Sequence, residues 1–150
     1  MQYYARSQKA FVYKYVVMLS DTDQFKHMSF ANYLKLMFLA TDALCLSCLD
    51  ANFLSERRLK LVHSRMQFKR QTSSGDHILI KVNCSEIDGS QFSLLYTFMI
   101  EGTAELVALG RQSYEALDLK SGQPLDKLPS DLRRFLEPLR VDEGHLLYKY

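Results

Sequence analysis

The sequence has almost no excess of charge of either sign, few cysteines, and no apolar run clean enough to cross a bilayer. Lys and Arg number 19 against 17 Asp and Glu, a formal net charge of +2. That balance gives bulk electrostatics no reason to call for a nucleic-acid partner. The three cysteines, Cys45, Cys48 and Cys84, are an odd number, which excludes a disulfide framework and fits a reducing, cytoplasmic compartment. Cys45 and Cys48 form a CxxC, but inside a predicted helix. There is no strand-to-helix turn for a redox site and no second pair for zinc, so they read as core thiols. The opening MQYYARSQKAFVYKYVVML lacks an uninterrupted apolar region followed by a small-residue cleavage site, and no signal peptide is expected. The longest apolar stretch, Ala31 to Leu49, is broken by Lys35 and Asp42, which argues against membrane insertion. No internal repeat or low-complexity segment is present.

With 150 residues, 47% of them hydrophobic and 24% charged, the chain can bury one good core and is read as one globular domain. Residues 11 to 19, FVYKYVVML, have the aromatic and β-branched composition of a strand. Residues 31 to 53 contain no Gly or Pro and are dominated by Leu, Met and Ala, which predicts one long helix, with Ser29 or Asn32 as its N-cap. It is apolar nearly all round, so other structure must wrap it. The turn signals TSSGDH, DGSQ and EGTAE then separate four strand-like runs, LVHSRMQFK, HILIKVNCSEI, FSLLYTFMI and LVALGRQSYEALDL. In the first, Val62, Ser64, Met66 and Phe68 alternate with His63, Arg65, Gln67 and Lys69. Four strands on short connections predict an antiparallel meander. After a turn at SGQP, Ser130 is the expected N-cap of a short helix, DLRRFLEPL. The economical packing is an α+β fold, a five-stranded antiparallel sheet curled around the long helix.

The junction between first strand and long helix, SDTDQFKHMSFANY, carries Asp21, Asp23 and His27. Two readings are open. Asp, Asn and Ser belong in connections for their own hydrogen-bonding reasons, which makes the carboxylates turn formers, Ser29 a cap and His27 an exposed loop residue. Alternatively, the helix N-terminus polarises a docked carbonyl and stabilises its developing oxyanion. A nearby carboxylate can then attack the carbonyl carbon or deprotonate a water that does, which makes an acyl-transfer or hydrolysis site.

The run SDTDQFKHMSFANYLKLMFLATD, with its D-x-D, its His and the A-N-Y opening the helix, resembles the signature of the 4-hydroxybenzoyl-CoA thioesterase family of hotdog-fold proteins. RMQFKRQTSSGDHILIKV is similar to that family's second and third strands around a turn closed by Gly-Asp. LVALGRQSYEALDLKSGQPLDKLPSDLRRFL is similar to its last strand and C-terminal helix, so the likeness spans roughly residues 12 to 137. It implies a hotdog fold and hydrolysis of an acyl-CoA or acyl-carrier-protein thioester without metal or redox cofactor. By the resemblance Asp23 is the catalytic carboxylate, as nucleophile or general base, and Asp21 a supporting loop residue. The oxyanion donors are backbone N–H groups among Met28, Ser29, Phe30 and Ala31. Two departures stand out. Lys26 occupies a place where many members have Gly, and Phe30 one where several have Tyr or His, which makes the pocket greasier or passes a polar task to His27 or His63.

Phe25, Met28, Phe30 and Tyr33 are candidates to line an acyl pocket, or equally plain core, and for Met37 core is the better reading. His63 is read either as a water-orienting or substrate-binding side chain or as a structural or surface histidine. Arg65, Lys69 and Arg70, with Arg57 and Arg58, are candidates for the phosphates of CoA or phosphopantetheine. The resemblance also implies a homodimer joined edge to edge with each site at the interface, often a dimer of dimers. Two alternatives remain. One is a release thioesterase of a polyketide or fatty-acid assembly line, with Lys26, Arg57, Arg58 and Lys60 facing an acidic carrier protein. The other is a non-catalytic hotdog protein that binds acyl thioesters.

Overall fold

Aromatic and β-branched residues form the first strand, β1 (Phe11–Val16), and the Leu, Met and Ala run forms the long helix, α1 (Phe30–Cys48), with Ser29 at its N-cap. A computed structural model describes residues 10–142. On α1, Tyr33, Leu36, Met37, Ala40, Thr41 and Leu44 recur at helical spacing and are buried against the sheet. The helix stops short of the predicted residue 53. Leu49 takes an extended conformation, and Asp50 caps a second helix, α2 (Ala51–Glu56), by accepting the Phe53 N–H at 2.9 Å. An Asp cap can end one helix and start another without Gly or Pro, the two residues whose absence suggested continuity.

The remaining strands are β2 (Arg57–Phe68), β3 (His77–Asp88), β4 (Gln91–Ile100) and β5 (Leu106–Asp118), and the five-stranded sheet has the order β1-β3-β4-β5-β2 with every pairing antiparallel. The meander is therefore three strands, not four. β3 already has β1 on one side and β4 on the other, so β2 pairs with the free side of β5. The chain between β2 and β3 is accordingly a crossover between the two sides of the sheet rather than a hairpin turn. β2 also carries a bulge between Leu61 and His63 that leaves half-exposed Val62 out of register. Past the bulge the alternation is as the sequence suggests. Gln112 Nε2 donates to Ser64 Oγ, Met66 packs on the core, and the Phe68 ring meets Phe30 and Tyr33 of α1. His63 and Arg65 take the other, solvent-facing side.

A last helix, α3 (Ser130–Leu136), and a 3-10 turn (Glu137–Leu139) close one end of the core with Leu132, Leu136 and Leu139. Ser130 is the first helical residue, and the cap position is Pro129. Along β5, Gly110 faces α1 where the Met37 side chain lies against the strand, and a Cβ there would clash with Met37 Sδ. The missing side chain lets the helix sit down on the sheet. Met37 is fully buried and has little room to retreat. Gly110→Ala should therefore lower stability by about 1–3 kcal/mol, as overpacking does, read as a lower urea midpoint at unchanged slope.

Candidate active site

The segment joining β1 to α1 is held by Asp21, the last residue of a 3-10 turn (Leu19–Asp21). Its carboxylate accepts the Met18 N–H and the Tyr15 hydroxyl through Oδ2, both at 2.8 Å. Its carbonyl accepts Asn32 Nδ2 at 2.7 Å and the Ser29 N–H at 3.2 Å. One residue thus ties the strand, the loop and the first turn of the helix together. Burial, the hydrogen bond to Asp21 and the Asp21 charge push the Tyr15 phenol up to about 12, so the donor stays protonated.

Asp23 sits at the neck of a tight turn. Its N–H donates to the His27 carbonyl at 2.9 Å and its carbonyl accepts the Lys26 N–H at 3.0 Å. Its carboxylate accepts the Phe25 N–H at 2.8 Å and the His27 N–H at 3.4 Å, both on Oδ1. Lys26 has φ of 64°, the left-handed region in which glycine is at no disadvantage. The backbone at Lys26 thus takes a Gly-like conformation even with a lysine.

The start of α1 is fixed from the other side by the β2–β3 crossover. The Met28 N–H donates to the Thr72 carbonyl at 2.8 Å, His27 pairs with Ser73, and the buried Tyr33 hydroxyl lies 2.8 Å from Thr72 Oγ1. With Met28 bonded to Thr72 and Ser29 to Asp21, two of the four candidate backbone donors are committed. The Phe30 and Ala31 N–H groups have no acceptor among the described residues. They are the open donors at this helix end.

A cleft of about 480 Å³ opens here, lined by Asp23, Phe25, His27, Met28, Ser29, Phe30 and Gln71. A second, of about 200 Å³, adjoins it and is lined by Met28, Phe30, Tyr33, Phe68, Lys69, Arg70 and Gln71. The Phe30 ring, stacked on Phe68 at 4.4 Å between centroids, forms a wall common to both. The structure thus brings together Asp23, Phe25, His27, Met28, Ser29, Phe30, Tyr33, Lys69 and Arg70, with exposed Ala31 beside them at the helix start. Arg70 also pairs with Glu105 at 2.5 Å. His63 and Arg65 are elsewhere, on the far side of the sheet, where Arg65 borders a separate depression floored by Leu95 and Leu109. Sequence reasoning missed Gln71 and Thr72, polar residues in a connection whose path only the strand order reveals. The CxxC thiols take no part, since burial raises Cys45 to about 12 and Cys48 to about 11 and keeps both protonated.

These features, an antiparallel sheet around a central helix with a carboxylate and open N–H groups at the helix start, define a hotdog fold with a polarised cleft. The profile of the thioesterase-like superfamily matches residues 17–136, and the chain belongs to that superfamily. Among solved structures it is similar to a 1,4-dihydroxy-2-naphthoyl-CoA thioesterase from Synechocystis, with 22% identity, TM-score 0.77, and 85% of this chain and 96% of that one covered. It is similar to the dynemicin thioesterase at 21% identity and TM-score 0.81, covering 89% and 99%. A Staphylococcus aureus protein solved in complex with CoA has 14% identity and TM-score 0.78, covering 89% and 88%. No curated relative matches the sequence. Among the described residues no helix is long and apolar enough to cross a membrane.

If Asp21 is the staple of this loop, Asp21→Ala removes acceptors for both Tyr15 and Met18. Stability should fall by about 1–3 kcal/mol in thermal unfolding, and Tyr15→Phe, which deletes one of those bonds, should cost less.

Proposed function

We propose that the chain hydrolyses an acyl-CoA or acyl-carrier-protein thioester, as in the narrower 4-hydroxybenzoyl-CoA thioesterase-like group that its loop motif resembles. The observation that carries this reading is the placement of the Asp23 carboxylate in one cleft with a helix start whose Phe30 and Ala31 N–H groups are open. A thioester oxygen seated on those two donors has its carbonyl polarised by fixed dipoles, which need no reorganisation as charge develops. In the general-base route Asp23 takes a proton from water and the hydroxide oxygen bonds to the carbonyl carbon. The oxyanion rests on the two N–H groups, the C–S bond then breaks, and the departing thiolate takes the proton back. In the nucleophilic route Asp23 attacks first, expelling the thiolate and forming a mixed anhydride that water opens. Both routes end in a free acid and a thiol. Asp23 Oδ1 is occupied by loop N–H groups, and the chemistry falls to Oδ2.

His27 adds a second polar group to the cleft, while Phe25 and Phe30 supply apolar walls for the acyl group. Lys69 and Arg70, beside the second cleft, are the nearest candidate cations for CoA or phosphopantetheine phosphates. Two neighbouring structures bear the names of thioesterases, one of them acting on an aromatic CoA ester, and a third holds CoA, which supports this substrate class.

Asp23→Asn keeps an oxygen to accept the Phe25 and His27 N–H groups and so should preserve the loop. It should lower kcat on the best acyl-CoA or carrier-protein substrate about a hundredfold or more. Full activity in the folded variant would remove Asp23 from the mechanism.

The same reading includes a homodimer. β2 is a twelve-residue edge strand, and beside it Phe30 (64% exposed), Leu34 (40%), Phe38 (38%) and Val62 (50%) are open to solvent. Long edges and contiguous apolar patches call for cover, and a second copy paired through β2 supplies it for both at once. Val62→Lys should shift sedimentation equilibrium from dimer toward monomer and reduce turnover with it. A monomeric wild type with full activity would rule the dimer out.

A further inference from the structure

The depression on the outer face of the sheet is set apart from both clefts at the start of α1. Along β2, β4 and β5, Met66, Leu94 and Tyr96 pack into the core and Gly110 faces the helix. Alternation turns Arg65, Gln67, Leu95, Leu109 and Arg111 the other way. Those five residues line a space of about 330 Å³, at the lower end of the range for small-molecule sites. Its floor is apolar and sheltered, since Leu95 and Leu109 are buried although they lie on the side of the sheet away from the helix.

The charged wall of this space carries two arginines face to face. Arg65 and Arg111 are direct cross-strand partners in the β2–β5 ladder, a register that roots their side chains about 5 Å apart. Like charges so placed destabilise a sheet. Arg111 is also deep, its side chain only 20% exposed, and its Nη2 donates to Ser93 Oγ at 3.2 Å and meets the mostly exposed Glu86 at 3.5 Å. A half-buried cation opposite a second cation is costly, and an anion seated between the two guanidinium groups turns that repulsion into attraction.

The surroundings narrow the class of anion. Guanidinium forks match the planar, two-oxygen geometry of a carboxylate. An inorganic anion leaves the leucine floor unused, whereas an acid with a short apolar body covers it. We propose that this depression binds a small aliphatic carboxylate, with its charged end between Arg65 and Arg111 and its chain on Leu95 and Leu109. Pairing of two copies through the β2 edge uses backbone groups and leaves this face of the sheet open. An acid of the kind that thioester hydrolysis releases belongs to the same class, yet binding here requires no turnover in the cleft.

Titration calorimetry with octanoate, octan-1-ol, inorganic phosphate and free CoA, on wild type, Arg65→Gln and Arg65→Lys, tests the site, with melting temperatures to show that both variants are folded. Octanoate should bind wild type at least tenfold more tightly than octanol or phosphate. Arg65→Gln should weaken octanoate about tenfold or more, as loss of a charge-assisted hydrogen bond does, and Arg65→Lys should fall between the two. An octanoate affinity unchanged in Arg65→Gln would mean that the acid sits elsewhere, as in the cleft beside Asp23, and overturns the proposal. So does a variant that loses affinity for CoA and not for octanoate, which would make Arg65 a contact of nucleotide phosphates. Absence of octanoate binding to wild type overturns it as well, and none of these results touches the role proposed for Asp23.

Discussion

Thr72 belongs to no helix or strand, yet the candidate site depends on it. Its carbonyl takes the Met28 N–H, its hydroxyl meets Tyr33, and it is almost fully buried. These two bonds join the crossover between β2 and β3 to the first turns of α1, so the register of the helix against the sheet and the position of its open end are set together. Had Met28 been left unbonded, the last loop residues could slide and the free N–H groups would have no defined direction. A preorganised oxyanion site requires the opposite, donors aimed before charge appears. The crossover and Asp21 between them occupy the two neighbouring donors, Met28 and Ser29, and so fix the direction of the Phe30 and Ala31 N–H groups that the proposed site would use.

The division of labour between the two loop carboxylates follows the same logic. Asp21 points back at Tyr15 and Met18 and is consumed in structure. Asp23, two residues on, lines the cleft and braces its own turn through one oxygen only. In the D-x-D spacing one residue fixes the loop so that the next can be offered to solvent without the segment collapsing onto it. Lys26 shows what the turn demands of the backbone, a left-handed residue closing four positions into a neck narrow enough for Asp23 and His27 to bond across it.

Much of this was legible in the residues. The composition of β1, the Gly-free run of α1, the Gly-centred turns before β3 and β4, and the alternation of Ser64, Met66 and Phe68 are local properties, and local physics reads them correctly. The failures have non-local or competing causes. Which neighbour β2 takes depends on which sides of β3 and β5 are already filled, and no property of residues 57 to 68 encodes that. The break at Leu49 was hidden because helix propensity is high on both sides of Asp50, and a single cap overrode it. Tyr33 read as a possible pocket residue, and its burial with Thr72 follows from the crossover. Among the four backbone donors first suggested, Met28 and Ser29 were as plausible as Phe30 and Ala31 until their partners, Thr72 and Asp21, 44 and 8 residues away in the chain, were known.

The cluster of Thr41, Tyr96, Gln112 and Tyr114 raises a problem that local reading could not pose. A four-residue polar group in the middle of an otherwise apolar helix–sheet interface is an expensive way to fill space, because aromatic and aliphatic side chains of the same volume would pack there without any hydrogen bond to satisfy. If packing were the sole requirement, Phe at 96 and 114 and Leu at 112 would serve with less risk of an unpaired group. The cluster is instead satisfied internally: Tyr96 and Tyr114 reach Gln112 Oε1, and Thr41 Oγ1 meets both tyrosine hydroxyls and the Met37 carbonyl. A core needs every polar atom paired within itself, and this network meets that need while tying α1 through Thr41 to Tyr96 on β4 and Tyr114 on β5, which sets the register of helix on sheet in a way that apolar packing alone would not.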